Sequence, residues 1–334
     1  MIAEVARPGR LHEATAPPER RGIARDAVRM LVTDRATRTH AHTRFRDLPT
    51  CLRSGDLVVV NDSATLPAAI PSNRRDGAPI DLHVSTMIDS RIWMTEPRGV
   101  VLSGEELRLP LGGSAVMLAP VDPEHARVWY AWFELPIPMA AYLAQVGKPI
   151  TYGYITKRFP LSDYQTMFAR EPGSSEMPSA ARPFTPRVVH ELQRAGVELA
   201  TITLHCGVAS FEAPERPSSE RYIVPPATAG AVNAARQRGS RVIAVGTTVL
   251  RALESAVHID GSVIASSGWT DLVIDAQHRV RSVDGLLTGF HGAGATHVWA
   301  LQAFLDRELL AAGYDIAAES DYSYHEFGDV HLIL

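Results

Sequence analysis

The fold is decided by one stretch of sequence, RVIAVGTTVLRALESA at positions 241–256. Its first part, 241–245, is an apolar run that predicts a buried strand. After the turn 246–248, apolar residues recur at helical spacing, at Val249, Leu253 and Ala256, and predict a helix with one side in the core. Strand, tight turn and helix in this order indicate a βα unit, so we expect an α/β fold.

The pattern elsewhere extends this unit into a main domain with a mixed sheet. The clearest helix begins at Pro186, because Thr185 offers a capping hydroxyl and Gly196 supplies a stop. Alternating helices and strands in the carboxyl half support the α/β class. The predicted strands span 29–34, 57–61, 197–205, 241–245, 272–274, 283–287 and 330–334, and the predicted helices span 186–195, 226–238, 247–256 and 298–309.

The segment 68–134 follows a different pattern, in which short alternating runs are separated by proline and glycine. This predicts a small antiparallel barrel or sandwich. The runs lie at 80–86, 91–96, 105–109, 115–119 and 128–134. We therefore expect a small antiparallel β-barrel domain, 68–134, inserted into a discontinuous main α/β domain made of 1–67 and 135–334.

The composition is that of a globular protein, with 334 residues, 46% hydrophobic and 21% charged. No apolar run approaches the roughly 20 residues that a membrane-spanning helix needs. The first residues show no basic-then-apolar signal pattern, and Cys51 and Cys206 lack the spacing of metal ligands. We expect a cytoplasmic protein, monomeric or weakly oligomeric, with no membrane association, disulfide or metal.

The net charge of −4 argues against broad, non-specific binding of nucleic acid, which needs a dominant positive field. A local patch stays open, because the segment 1–53 is rich in arginine. That segment could contact a polyanion, or it could be an ordinary solvated surface.

The turn at Gly246, Thr247 and Thr248 is the first candidate site. It lies between a predicted strand and a helix, so its amides and hydroxyls could bind a carboxylate or a phosphate. A threonine cap with a structural role alone is the alternative. Further along the helix, Arg251 and Glu254 share a face, either as ligands or as a solvent-exposed ion pair.

A second candidate turn holds Gly268, Trp269 and Asp271. Its indole could stack on an adenine, and its carboxylate could bind an amine or a ribose hydroxyl, although plain packing of the tryptophan is equally consistent. Asp284 precedes Gly285 and is either a ribose ligand or a turn-stabilising residue. These residues are compatible with a nucleoside ligand without requiring one.

Two histidines, His205 and His291, each follow an apolar strand. An imidazole at a strand end can transfer protons near neutral pH, or it can be structural. No histidine pair with acidic partners has metal-ligand spacing, and no serine stands in a nucleophile elbow, so metal and triad chemistry are not expected.

Taken together, these motifs resemble the S-adenosylmethionine:tRNA ribosyltransferase-isomerase family of queuosine biosynthesis. The resemblance covers most of the chain and follows one order. The matching motifs are RMLV at 29–32, GDLVVVND at 55–62, YQT at 164–166, AVGTT at 244–248 with Arg251 and Glu254, GWTDL at 268–272, VDGLLT at 283–288, FH at 290–291 and FGD at 327–329.

The resemblance implies a main α/β domain interrupted by a small β-barrel, and an unusual use of S-adenosylmethionine as co-substrate without a metal. In this family the donor gives its ribosyl part to the aminomethyl group of a 7-deazaguanine base in tRNA, and adenine and methionine are released. The sulfonium acidifies the neighbouring ribose 5′ C–H, so a base can start the elimination of adenine. Such a site also needs a clamp for the methionine carboxylate.

Roles for individual residues follow from the resemblance. The candidate proton-transfer groups are His205, Glu254, Asp271 and His291; the candidate donor-binding residues are Thr247, Thr248, Arg251, Gly268, Trp269 and Asp284; the candidate substrate-binding residues are Tyr164, Gln165, Ser179, Phe184 and Asp329.

The chain departs from the family pattern in places that leave the acceptor open. Three functions are consistent with the sequence: transfer to tRNA, the same sulfonium chemistry on a small-molecule acceptor or without an acceptor, and a non-catalytic RNA-binding module. The departures are Pro183 in place of a histidine, an altered turn at 208–212, a shortened segment at 216–222, the loss of a lysine within 289–296 and Ala69 in place of an arginine.

Overall fold

The main body of the protein is a nine-stranded mixed sheet. The computed structural model describes residues 11–208, 218–292 and 295–334. Four neighbouring strands in the middle of the sheet are parallel to one another, and the outer strands include antiparallel pairs. In spatial order the strands are Ser266–Thr270, Glu220–Val224, Glu198–Leu204, Leu57–Asn61, Val242–Val245, Gly285–Gly289, Val330–Ile333, Arg29–Asp34 and Thr39–Arg44.

Helices cover both faces of this sheet because its central strands are apolar on both sides. In the strand Leu57–Asn61 all five residues are buried. Val59 faces one hydrophobic core, whereas Val58 and Val60 face the other, as the two-residue period of a strand requires. The α-helices of the described residues are Leu48–Cys51, Met139–Val146, Pro186–Arg194, Pro226–Gln237, Thr247–Ser255, His297–Gln302 and Arg307–Glu319.

The strands within residues 69–134 form a closed antiparallel barrel with its own hydrophobic core. The helix Met139–Val146 packs on that core through Met139, Tyr142 and Leu143. Around the barrel the strands run Ser114–Pro120, Trp129–Glu134, Ile92–Pro97, Pro79–Met87, Ala69–Asn73 and Glu106–Arg108. The predicted fold class, a mixed-sheet α/β body with a small antiparallel β-barrel, is confirmed. The division into domains at 68 and 134 stays a prediction.

Two predicted elements are wrong. The run 272–274 is not a strand; its apolar residues pack without pairing, and the sheet is extended by the more polar Ser266–Thr270. The predicted helix 298–309 is two helices, because the Asp306 carboxylate accepts a hydrogen bond from the Leu309 amide at 2.9 Å and starts a new helix there. Within the described ranges, no helix is long and apolar enough to cross a bilayer.

The topology collects the ends of many elements at one edge of the sheet. The four parallel strands all finish there, and the antiparallel strands Glu220–Val224 and Val330–Ile333 begin there. In open α/β sheets this carboxyl edge is where ligands bind, because the strands fix the loops that follow them.

Candidate active site

A cavity of about 200 Å³ lies at the carboxyl edge of the sheet. Residues that directly follow the parallel strands contribute to it, among them Cys206, Thr247 and His291. Aromatic residues from the segment between barrel and sheet form another wall, and the stretch before the last strand closes the cavity with His325 and Glu326. The cavity thus joins segments that are far apart in sequence.

The turn before the helix Thr247–Ser255 brings the start of that helix to the cavity. Gly246 has φ +92°, a backbone conformation that residues with a Cβ rarely adopt. A Cβ at this position would lie 3.4 Å from the Ala180 Cβ. No side chain in the described part of the chain caps this helix. Its first amides are therefore available to a negatively charged group, with the hydroxyls of Thr247 and Thr248 beside them.

Arg251 braces the cavity wall from inside the same helix. Its Nε donates to the Leu272 carbonyl oxygen at 3.0 Å and its Nη2 to the Thr270 carbonyl oxygen at 3.1 Å. Its Nη1 donates to the buried Glu220 carboxylate, whose other oxygen accepts the Gly207 amide at 2.9 Å. Arg251 therefore pairs with Glu220 and not with Glu254, and one guanidinium connects several loops around the cavity.

Glu220 is a site residue that the sequence reasoning missed. It begins the strand Glu220–Val224, whose burial alternates so that Glu220 shares the inner face with Tyr222 and Val224. An acid on the apolar face of an alternating run was the signal, since a charge in that position needs a partner.

Two stacked imidazoles also line the cavity. The rings of His291 and His297 lie 4.4 Å apart and within 8° of parallel. Thr288 Oγ1 is 3.2 Å from His291 Nε2. Burial, reinforced by the neighbouring His297 and His325, holds the pKa of His291 well below its usual value, and burial lowers the pKa of His297 to about 4. Both rings are neutral at physiological pH, so His291 can accept a proton.

The third part of the lining, here called the aromatic corner, consists of Tyr152, Tyr154, Glu176, His325 and Glu326. The rings of Tyr154 and His325 stack at 3.9 Å, and the Tyr152 ring lies 6.1 Å from that of Tyr154. The Tyr154 hydroxyl donates to Glu326 at 2.5 Å, and the Tyr152 hydroxyl donates to Glu176. Burial raises the pKa of Glu326.

Three polar atoms of the lining have no hydrogen-bond partner among the described residues. They are Thr65 Oγ1, the Tyr164 hydroxyl and Trp299 Nε1. Thr65 and Tyr164 are 5% and 4% exposed, so water does not compensate them freely. Buried polar groups are normally paired, which makes these three atoms natural contacts for a bound molecule.

Of the predicted site residues, the cavity brings together Tyr164, Ser179, Thr247, Thr248, Arg251 and His291. His205 lies outside it: its Nδ1 is 2.8 Å from Ser63 Oγ, and it packs so closely on Gly173 that a Cβ there would lie 2.4 Å from the ring. Glu254 is also outside, with hydrogen bonds from Ser282 N and Oγ at 2.6 Å, from Arg281 N at 2.8 Å, and a 2.8 Å contact with His278 Nε2.

The second candidate turn does not face the cavity either. Gly268 and Trp269 belong to the outermost strand of the sheet, where Trp269 is 50% exposed, and Asp271 is exposed just beyond it. Asp284 has a structural partner at the start of the strand Val242–Val245, because its carboxylate accepts the Val242 amide at 2.9 Å.

Among the predicted substrate-binding residues, three have structural partners. Gln165 exchanges two hydrogen bonds with the Thr65 backbone, and Phe184 is fully buried in the core. Asp329 accepts the Arg29 amide at 2.6 Å. A smaller cavity adjoins the first one, and its lining includes Ser179, Pro183 and Asp329 together with His325 and Glu326.

Three of the departures from the family pattern fall partly on positions that the structure does not describe: those at 208–212 and 216–222 overlap 209–217, and that within 289–296 includes 293–294. Ala69 lies in the barrel, where it pairs with His83 and Lys148. Across the described ranges, no three His, Cys, Asp or Glu side chains are grouped as a metal site requires.

Comparison with known proteins finds relatives over nearly the full length of the chain. A family model described as queuosine biosynthesis protein matches residues 10–333. The chain belongs to this family. The S-adenosylmethionine:tRNA ribosyltransferase-isomerase of Moorella thermoacetica is 36% identical, over 98% of this chain and 97% of the relative. The protein of the same name from Thermus thermophilus is 34% identical, over 95% of this chain and 97% of the relative.

A solved member of the queuosine biosynthesis family has the same fold. The crystal structure of S-adenosylmethionine tRNA ribosyltransferase from Thermotoga maritima superposes with a TM-score of 0.55. It is 28% identical and covers 98% of both chains. The resemblance inferred from the sequence motifs is thereby confirmed.

Proposed function

We propose that this protein transfers and isomerises the ribosyl part of S-adenosylmethionine onto the aminomethyl group of a 7-deazaguanine base in tRNA. Adenine and methionine are the products released. The observation that carries this proposal is the full-length match, 36% identical, to a relative named for that reaction. The cavity at the carboxyl edge supports it, and the cytoplasm is the proposed place of action.

The charges of the cavity suit S-adenosylmethionine, which carries a carboxylate at one end and a sulfonium near its ribose. The uncapped helix start at Thr247 and Thr248 is the proposed clamp for the methionine carboxylate. Arg251 supports this clamp indirectly, since its guanidinium is already paired with Glu220. Gly268, Trp269 and Asp284 lie outside the cavity, so we restrict the donor clamp to the helix start.

We assign the first proton transfer to His291. Among His205, Glu254, Asp271 and His291, it alone lines the cavity. Its neutral imidazole takes the ribose 5′ proton, and the sulfonium stabilises the electron pair left on C5′. That pair forms a C4′–C5′ double bond as the bond from C4′ to the ring oxygen breaks. The electrons of the ring oxygen form a carbonyl at C1′, and adenine leaves with the electrons of its glycosidic bond and takes up a proton. The acceptor amine then attacks the activated sugar, and methionine leaves with the electrons of the C5′–S bond.

This assignment is tested by replacing His291 with alanine and measuring adenine release in a single turnover. We expect the rate to fall by about 10²–10⁴-fold, the usual contribution of a positioned base. His190→Ala is the matched control, because His190 is exposed on the helix Pro186–Arg194. A His291→Ala rate within about threefold of the control, well under the usual contribution of a base, would place the base elsewhere.

A further inference from the structure

The aromatic corner holds a carboxylate that no described residue neutralises by an ion pair. Glu326 accepts the Tyr154 hydroxyl at 2.5 Å and forms no ion pair with the described residues. Arg182, whose charge lowers the pKa of Glu326, is itself paired with Glu19 at 3.0 Å. A half-buried carboxylate without a cation is costly, so a positively charged ligand would be stabilised beside it.

An independent feature points to a ligand at the same place. Tyr164 lines the cavity with its hydroxyl unpaired among the described residues, and it is only 4% exposed. Glu326 lines the same cavity, and the Tyr164 ring lies 5.1 Å from the ring of Phe327, the residue that follows Glu326. A ligand in the aromatic corner would therefore meet both a carboxylate and an unused hydroxyl.

We propose that the aromatic corner binds the sulfonium centre of S-adenosylmethionine, with Glu326 as counter-ion and Tyr154 as the ring against the S-alkyl groups. This inference rests on the proposed function, and it names the residues that distinguish a charged donor from a neutral one. Glu326 is thereby a specificity-determining residue.

The chemistry of the corner favours a sulfonium over an ammonium. A sulfonium has three alkyl substituents and no N–H, so it cannot donate an N–H hydrogen bond. It is recognised instead by the faces of aromatic rings and by the negative charge of carboxylates. The corner offers the stacked rings of Tyr152, Tyr154 and His325 together with carboxylates held by tyrosine hydroxyls. The methionine ammonium, in contrast, adjoins its own carboxylate and stays with it at the helix start.

Calorimetric binding of two ligands tests this proposal. S-adenosylmethionine and its neutral thioether, S-adenosylhomocysteine, differ at the sulfur by one methyl group and one charge. For Glu326→Gln we expect the affinity for S-adenosylmethionine to fall about tenfold while the affinity for the thioether stays within about twofold. Unchanged thioether binding also shows that the variant site is folded. Glu319→Gln is the control, since Glu319 is exposed on the last helix and outside the cavity.

A second variant, Tyr154→Leu, keeps the carboxylate and removes the ring, and it should also reduce the preference for the charged ligand. Glu326→Gln that retains the full preference, or that loses both ligands equally, overturns the proposal. Wild-type protein that binds neither ligand contradicts the proposed function itself, and the sulfonium assignment then falls with it.

Discussion

At the scale of single residues, chemical type and position in the sequence identified candidate residues but not which way their side chains point. Glu254 and His291 both belong to motifs at the carboxyl edge, yet only His291 lines the cavity. Hydrogen bonds with Ser282, Arg281 and His278 hold the Glu254 carboxylate outside the cavity. Such partners lie more than twenty positions away, so no local pattern reveals them.

Glu254 is accordingly expected to contribute to stability and not to donor binding. Replacing it with glutamine removes a charge that accepts several hydrogen bonds, so we expect a loss of about 1–3 kcal/mol in the free energy of unfolding. Denaturant titration measures this loss, and Glu319→Gln on the exposed side of the last helix is the control. A normal stability with weakened S-adenosylmethionine binding would return Glu254 to the candidate catalytic groups.

At the scale of elements, the hydrophobic pattern was sufficient to predict an element where at least one of its sides is buried in a core. The strands Arg29–Asp34 and Leu57–Asn61 have the predicted bounds, and the helix at Pro186 carries the predicted cap, because Thr185 Oγ1 accepts the Val188 amide. The edge strand Thr39–Arg44 escaped prediction. Its residues are polar and mostly exposed, so pairing and not hydrophobic pattern makes it a strand.

The barrel contains a buried ionic group that pH can probe. Burial raises the pKa of Glu96, but the hydrogen bond from His83 and the charges of Arg127 and Arg98 outweigh it and lower the pKa to about 2. A lowered carboxyl pKa stabilises the folded state above the unfolded value near 4.5, and this stabilisation disappears as the pH falls towards about 2.

We therefore expect Glu96→Gln to be less stable than wild type at neutral pH by about 3 kcal/mol, the free energy that corresponds to this pKa difference. The gap between the two proteins should narrow steadily below about pH 4.5. Thermal unfolding of both proteins across this range measures it. A gap that stays constant in acid would mean that the Glu96 charge does not stabilise the barrel.

At the scale of the whole molecule, the parallel sheet explains why distant motifs form one site. Thr65, Cys206, Thr247 and His291 follow four different strands and meet because those strands end at one edge. This half of the cavity was predictable from strand ends. The aromatic corner was not, since its residues come from irregular segments whose positions only the folded chain defines.

The central claim concerns the whole reaction, so the decisive measurement is product release. The protein is incubated with S-adenosylmethionine and either tRNA carrying the aminomethyl 7-deazaguanine, tRNA without it, or a small amine, and free adenine and methionine are quantified. We expect both products in equal amounts, and only with the modified tRNA. Release without tRNA, or with a small amine alone, would contradict tRNA as the acceptor, and no release under any condition would contradict the enzymatic function.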